Sequence, residues 1–253
     1  MARRKNKRRG KEKSTEQILQ INELGWHGDG IADMDDKRIF VPFTLAGESV
    51  RAMVTGTRAR LLEVLQASPE RAQAQCEYVG KCGGCAVQHM AFESYYQWKR
   101  HVIERALLNR RIDAPVEDLI DAHGNGRRRV TLHVQNVDGQ VQAGFMQAHS
   151  HKLVDIEICP ILAPELAKAT DIARDVAGHL LKASKALNIQ LTVSETGLDC
   201  NVTGAGELDL DARMGLSDCA NNHDLARLSV GGDMVLERRA PTLTFGAGKV
   251  ILP

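Results

Sequence analysis

The sequence lacks the features that carry a chain into or across a membrane. It contains no run of eighteen apolar residues, which is about the length that a membrane-spanning helix requires. The basic start is followed by EQILQINEL, whose polar residues interrupt the apolar stretch of a secretory signal. We therefore expect a cytoplasmic protein with no membrane partner. In that compartment the six cysteines stay reduced and do not form a disulfide framework.

Positive charge is concentrated at the amino terminus. Residues 1–13 hold eight Lys or Arg and one Glu, although the chain of 253 residues has a formal net charge of only +1. A block of this kind is typical of a disordered, solvated tail. It also binds phosphate backbones nonspecifically by releasing counterions. Both interpretations are equally well supported, so the tail alone does not establish a nucleic-acid partner.

Residues 14–75 predict a small β-barrel. Short apolar-rich runs are separated by turn sequences such as GWHGDG and LAGE; the runs are QILQINEL, KRIFVPF, ESVRAMV and RARLLEVL. Strand-length runs at this spacing, with no long helical period, favour a barrel. Trp26 and His27 in the GWHGDG turn could stack on a nucleic-acid base, although packing within the turn is the simpler role for Trp26.

Residues 76–253 predict an α+β domain in which strands dominate. AFESYYQWKRHVIERALLNRR has the period of an amphipathic helix whose Tyr and Trp side chains pack in a core. RRRVTLHVQ and QVQAGFMQ predict a hairpin with Asp138 and Gly139 at its turn. HKLVDIEIC predicts a third strand that ends at Cys159, and a helix is expected to begin near Pro164. The whole chain is thus expected to be β-rich.

Four cysteines form the most informative pattern. Three lie in CEYVGKCGGC, as Cys76, Cys82 and Cys85, and Cys159 stands alone in DIEICP. Four thiolates can close a tetrahedral zinc site or hold a 4Fe–4S cluster. Only one CxxC pair is present, whereas zinc ribbons usually present two, and the Cys-Pro pair resembles the end of ferredoxin-type runs. These features favour iron–sulfur over zinc modestly, and zinc stays open as the alternative.

Further expectations concern the glycines between the clustered cysteines, the two remaining cysteines and the histidines. Gly83 and Gly84, which have no side chains, let backbone N–H groups approach the sulfur atoms. Cys200 and Cys219 stand alone in the sequence and are expected to be buried small hydrophobes. The nine histidines show no metal-ligand spacing such as HxxxH.

The sequence resembles the bacterial iron–sulfur RNA (uracil-5-)-methyltransferases, which make 5-methyluridine in 23S ribosomal RNA. The resemblance rests on Cys-x5-Cys-Gly-Gly-Cys, the distant Cys-Pro and SPER at the end of the barrel. GDGIADMDDKRIFVPFTLAGESV is similar to the central stretch of that family's TRAM domain, an OB-like RNA-binding module. GNGRRRVTLHV and the strands after it are similar to the start of the central domain. The resemblance covers residues from about 17 to the end of the chain.

The resemblance implies a 4Fe–4S cluster on Cys76, Cys82, Cys85 and Cys159. It also implies that the barrel and the central domain contact RNA, in particular ribosomal RNA, as parts of a monomer. The candidate RNA-binding residues are Arg127, Arg128, Arg129 and Lys81. Arginine suits phosphate and base recognition because its planar guanidinium group donates two parallel hydrogen bonds.

Members of that family continue into a Rossmann-like domain that binds S-adenosylmethionine and supplies the catalytic nucleophile and base. This sequence stops at KVILP, and no strand in it runs into a glycine-rich turn and helix. We therefore expect no catalytic residue here, S-adenosylmethionine only through a domain outside this chain, and no activity from this chain alone. The alternative is a stand-alone RNA-binding module, stabilised by zinc or a cluster, without catalytic activity.

Overall fold

The computed structural model describes residues 13–121, 125–148, 150–181 and 186–252, so nearly all of the predicted basic tail lies outside the described residues. The described residues before Lys81 form a first compact unit together with Cys85–Ile120. Lys81–Gly84 and the described residues from Asp121 onward form a second unit. The helical segment after the cysteine loop thus groups with the barrel strands in the first unit. None of the helices in these ranges combines the length and apolar character that crossing a bilayer demands.

The first unit is built on a six-stranded sheet that curls into a partly open barrel. Its strands are β1 (Thr15–Gln20), β2 (Glu23–Leu24), β3 (Gly30–Met34), β4 (Lys37–Val41), β5 (Ser49–Thr55) and β6 (Arg58–Gln66). Their order is β1-β5-β6-β4-β3-β2, and only the β4–β6 pair is parallel. Just beyond β1, the Asn22 amide donates to the Ile31 carbonyl of β3 at 2.8 Å, which draws the two ends of the sheet together.

Side chains that alternate between the two faces of each strand fill the barrel interior. In β5 the side chains of Val50, Ala52 and Val54 are buried, whereas the intervening Arg51 and Met53 are partly exposed. Successive side chains of a strand point to opposite faces, so every second residue reaches the core. The buried cluster contains Leu19, Ile21, Ala32, Ile39, Val41, Val50, Ala52, Val54 and Ala59.

A buried carboxylate ties the end of the barrel to one of its loops. Glu48 is fully buried and accepts hydrogen bonds from Arg71 Nε at 2.5 Å and Arg71 Nη2 at 2.8 Å. The amides of Leu45 and Ser68 also donate to it, at 2.8 and 3.3 Å. Burial alone would raise the pKa of Glu48, but the hydrogen bonds from Arg71 and the two amides outweigh it and lower that pKa.

The helix that follows is α1 (Phe92–Asn109), and it differs from the prediction in its packing. No residue of α1 is buried, and Phe92 and Ile103 are 54% and 52% exposed. Tyr95, Tyr96 and Trp98 are each partly buried, and the indole nitrogen of Trp98 is shielded from solvent, so the predicted aromatic face is covered in part and is not enclosed in a core. Periodicity predicts which residues share a face of a helix, but burial depends on how much of that face another element covers.

The second unit is a seven-stranded sheet with two helices against it. The strands are β7 (Arg129–Val137), β8 (Gln140–Met146), β9 (Leu153–Asp155), β10 (Leu187–Ser194), β11 (Gly197–Thr203), β12 (Leu225–Val230) and β13 (Asp233–Glu237). Their order is β13-β12-β11-β10-β7-β8-β9, with β11 and β12 parallel. The helices are α2 (Ala169–Gly178) and α3 (Leu210–Asn222), and a separate hairpin pairs β14 (Thr242–Phe245) with β15 (Gly248–Ile251).

Two local predictions for this unit have opposite outcomes. The hairpin of β7 and β8 is confirmed, and Asp138 and Gly139 form its turn with φ of 51° and 85°. The strand predicted to end at Cys159 is wrong, because β9 ends at Asp155. The following backbone leaves the sheet, and Leu162 N donates to Cys159 O at 3.2 Å in a turn. The β-rich class of the chain is confirmed.

We predict that Glu48→Ala costs about 3–5 kcal/mol of the free energy of unfolding, because it leaves the Arg71 guanidinium and two amides without their acceptor. Glu63→Ala is the matched control. Glu63 has a side chain that is 56% exposed and pairs with Arg51 on the surface, so its loss should cost less than about 1 kcal/mol. Urea unfolding of both variants measures the difference, and equal costs would contradict the assignment.

Acid should weaken the same cluster. The pKa of Glu48 is lowered in the folded state, so its stabilisation is complete above the unfolded pKa and is lost as pH falls through the folded value. Burial, followed by the nearby Arg71, lowers the pKa of His89 below its usual 6.5, so protonation on acidification also favours unfolding.

Candidate functional site

The segment Lys81–Gly84 docks against the end of β8. Cys82 forms an antiparallel bridge with Gln147, and Gly83 N donates to Met146 O at 2.9 Å. A Cβ atom at Gly83 would lie 2.7 Å from that carbonyl oxygen and 2.9 Å from Ala148 N. Only glycine allows the two backbones to approach so closely, so Gly83 serves this docking.

Two of the predicted cysteine ligands accept hydrogen bonds through sulfur. Gly84 N lies 3.3 Å from Cys82 Sγ, and Gln88 Nε2 lies 3.4 Å from Cys85 Sγ. The approach of a glycine N–H to sulfur is therefore present at Gly84. Such hydrogen bonds stabilise and tune thiolates that bind metals.

All four cysteines of the pattern are reduced and partly exposed. Cys76 and Cys85 belong to the first unit, and Cys82 and Cys159 to the second. Accessible thiols that receive N–H groups fit the chemistry of a cluster or a zinc ion.

Arg127 lies beside the turn that begins at Cys159. The Arg127 amide donates to Ile161 O at 2.8 Å, and Ala163 N donates to Arg127 O at 3.0 Å. Gly126 has a φ of 105°, and a Cβ there would lie 2.7 Å from the Leu162 carbonyl. The second unit thus brings together two predicted site residues that are far apart in the sequence.

One face of the seven-stranded sheet is polar. On β7, Val130, Leu132 and Val134 are buried, whereas Arg129 and Thr131 are exposed on the opposite face. The polar side chains of neighbouring strands continue this face. We name it the polar sheet face and define it by Arg129, Thr131, His133, Asn188, Gln190, Asn201 and Ser229.

Cross-strand hydrogen bonds order the polar sheet face. His133 Nδ1 and Asn188 Oδ1 are 2.6 Å apart, and Gln190 Nε2 donates to Thr131 Oγ1 at 3.3 Å. Ser229 Oγ donates to Asn201 Oδ1 at 3.1 Å in the strands beyond. The sequence analysis did not predict this surface. Alternation within each strand indicates which side chains share a face, but the order of the strands in the sheet, which no local pattern contains, decides which of them become neighbours.

The four cations predicted to bind RNA are all exposed: Arg127, Arg128, Arg129 and Lys81. Arg129 lies on the polar sheet face. Arg128 O accepts from Val193 N at 2.8 Å, which extends the pairing of β7 with β10. Arg127 lies outside β7, so strand alternation does not set its direction. By contrast, Arg100 of α1 is paired with Glu104 and Asp118, each at 2.9 Å.

Trp26 and His27 occupy the loop between β2 and β3 in the first unit, and both are exposed. Trp26 is 47% exposed. The exposed part of its ring presents a surface to solvent.

A group of metal-ligand side chains lies where α2 and α3 meet. Asp175, Cys219 and His223 have ligand atoms that all lie within 4.8 Å of one another. Cys200 and Cys219 are buried, as predicted, but Cys219 is not isolated. Cys219 and His223 are four residues apart on one helix, a spacing that the sequence contained and that a search for paired histidines overlooks.

Gly83→Ala should destabilise the second unit by about 1–3 kcal/mol, because its Cβ collides with the Met146 carbonyl. Gly84→Ala is the control in the neighbouring position. The nearest atom to a Cβ there is Cys82 Sγ at 3.4 Å, which is an ordinary contact, so we expect a change within about 0.5 kcal/mol. Denaturant unfolding compares the two variants. An unchanged free energy of unfolding for Gly83→Ala would show that the segment does not depend on this close approach.

Comparison with known proteins finds relatives that are named as RNA methyltransferases. No protein-family model matches the chain. It is 37% identical over 235 residues to an uncharacterized RNA methyltransferase of Brucella suis biovar 1, covering 93% of this chain and 57% of that protein. It is 38% identical over 245 residues to an uncharacterized RNA methyltransferase of Caulobacter vibrioides, covering 94% and 59%.

A third relative carries a more specific name. The 23S rRNA (uracil(1939)-C(5))-methyltransferase RlmD of Halomonas elongata is 36% identical over 186 residues, which cover 70% of this chain and 38% of that protein. The chain is therefore a homologue of proteins named as RNA methyltransferases, and it spans a little more than half the length of the first two.

Proposed function

We propose that this chain is the RNA-recognition portion of an S-adenosylmethionine-dependent 23S rRNA (uracil-5-)-methyltransferase that acts in the cytoplasm. The observation that carries the proposal is the similarity over 93% of the chain to an RNA methyltransferase and over 70% to a 23S rRNA uracil-C5 enzyme. We assign no catalytic or S-adenosylmethionine-binding residue within it. S-adenosylmethionine would supply the methyl group, and the residues of this chain would bind and orient the RNA.

The polar sheet face supports RNA binding in the second unit. Its amide, hydroxyl and imidazole groups can donate to and accept from base edges and 2′-hydroxyl groups. Arg129 lies on this face and adds a charged fork for a phosphate. Hydrogen bonds already hold several of these side chains in place, so less conformational entropy is lost when RNA binds.

The barrel of the first unit supports a second RNA contact. We propose that it is a TRAM-type, OB-like module, in keeping with its partly open six-stranded sheet. Barrels of this kind bind oligonucleotides on one face and its adjoining loops. Trp26 and His27 lie in such a loop and are exposed, so a base could stack on either ring.

We propose that Cys76, Cys82, Cys85 and Cys159 bind a 4Fe–4S cluster, with zinc as the alternative. Their sequence spacing is the first support, and the hydrogen bonds to Cys82 and Cys85 sulfur are the second. A structural role is favoured, because methyl transfer to uracil by addition and elimination needs no electron carrier.

Removal of the Arg129 charge should weaken RNA binding. We expect Arg129→Gln to cost about 1–3 kcal/mol of binding free energy for a 23S rRNA fragment that contains the target uridine. Arg238→Gln is the control, because Arg238 is paired with Asp224 at 2.9 Å and lies outside the polar sheet face. Fluorescence anisotropy across a range of salt concentrations measures both.

Log affinity should fall linearly with log salt, with a shallower slope for Arg129→Gln. The same affinity for a structured RNA of unrelated sequence would favour the stand-alone RNA-binding module. Equal losses in both variants, or no binding at low salt, would contradict the proposed surface.

Anaerobic purification tests the cluster. We expect about four iron and four sulfide per chain, with an absorbance band at about 400 nm. Serine at any one of the four cysteines should abolish the band, whereas Cys200→Ser should retain it because Cys200 is fully buried in the sheet. About one zinc per chain without iron would overturn the cluster in favour of the zinc alternative.

A further inference from the structure

We propose that Asp175, Cys219 and His223 bind a single zinc-type divalent ion that joins α2 to α3. None of these residues belongs to the four-cysteine set, and the site stands apart from the RNA-binding proposal. In the described part of the chain this is the only group of three or more such side chains whose ligand atoms all lie within 4.8 Å of one another.

The ligand types match zinc. One thiol, one imidazole and one carboxylate are among the donors that zinc prefers, at about 2.0–2.3 Å from the ion. In a tetrahedral site, donors at those distances lie about 3.3–3.8 Å apart. His223 Nε2 is 2.8 Å from Asp175 Oδ2, so this contact must widen when the ion binds, and all three donor separations are at most 4.8 Å.

The two helices preorganise the three donors. Cys219 lies in the last turn of α3, and His223 is the residue that caps its end; His223 N donates to Cys219 O at 3.0 Å, which keeps the two residues on one side of the helix end. Asp175 of α2 lies opposite them. His179, which caps the end of α2, lies against Gly215 of α3, where a Cβ would be only 2.3 Å from His179 Nδ1. The helices therefore run in opposite directions, and the missing side chain at Gly215 lets them approach closely.

The burial of the group suits an ion that enters from one side. Cys219 is 2% exposed and forms the base of the site. The side chains of Asp175 and His223 are 46% and 20% exposed and form its mouth. Solvent can reach the mouth, so water can serve as the fourth ligand. Three protein ligands and a water make up a common open zinc site.

The local charges are compatible with a bound cation. Arg174, the cation next to Asp175 in the sequence, is held by Asp155 at 2.8 Å and faces Asp171 at 3.7 Å. Its charge is therefore neutralised by carboxylates other than Asp175.

The thiol must lose its proton when the ion binds. Without a metal, burial and the Asp175 carboxylate raise the pKa of Cys219 to about 12, so it carries its proton. Coordination forms a zinc–sulfur bond and releases that proton to solvent, with no electron transferred. The competing arrangement is a hydrogen-bonded triad that joins the helices without an ion, and the experiment separates the two.

Zinc content of the full chain tests the proposal. Wild type and variants are equilibrated with zinc, dialysed free of excess metal and analysed for zinc per chain, with the unfolding midpoint measured with and without zinc. Any zinc on the four-cysteine set is common to all variants and cancels in the comparison. Cys219→Ala, His223→Gln and Asp175→Asn remove one ligand each. Cys200→Ala and Asp218→Asn are matched controls, one a buried cysteine and the other an exposed aspartate on α3.

We expect Cys219→Ala and His223→Gln to hold one zinc fewer per chain than wild type. Zinc should no longer raise the unfolding midpoint of these two variants. Asp175→Asn should bind zinc at least tenfold more weakly than wild type. Both controls should match wild type. His223→Gln keeps the test valid if Cys219→Ala fails to fold, because His223 is partly exposed. Equal zinc in wild type and His223→Gln would overturn the proposal in favour of the hydrogen-bonded triad. Zinc lost from Cys219→Ala alone would overturn it too, because it would show binding by a single thiol.

Discussion

The alternation of side chains across each strand is the constraint on which both units depend. In the barrel it places Val50, Ala52 and Val54 inside. In the seven-stranded sheet it buries Leu132 and Ile189 on one face and exposes Arg129 and Thr131 on the other. Because the side-chain period is two residues, a shift of register by one would exchange the apolar and polar faces completely. The candidate RNA surface thus exists as a consequence of how the core is built.

Close backbone approaches then place the remaining site residues on this scaffold. Gly83 lets the segment with Lys81 and Cys82 lie along the end of β8, and Gly126 lets the backbone at Arg127 pair with the turn after Cys159. A side chain at either glycine would meet a carbonyl within 2.7 Å. The positions of the thiols and arginines therefore depend on backbone hydrogen bonds as well as on side-chain packing, which is how loops on a rigid sheet commonly carry function.

The two candidate metal sites differ in how far the sequence reveals them. Cys76, Cys82 and Cys85 lie within ten residues, so their spacing alone indicates shared chemistry. Asp175 and Cys219 are distant in sequence and meet only because α2 and α3 pack against each other on the sheet. A ligand set that spans two helices leaves only two of its three members, the i and i+4 pair, in the local sequence.

By itself the sequence determined the β-rich class, the Asp138–Gly139 hairpin and the burial of Cys200 and Cys219. These follow from strand period, turn chemistry and side-chain polarity, which act over a few residues. The tertiary structure alone decided that β9 ends at Asp155, that α1 has no buried residue and that β11 pairs in parallel with β12. It alone also placed Asp175 against Cys219. Each of these outcomes depends on which distant element lies alongside and how much surface it covers, and no local pattern in the chain contains that information.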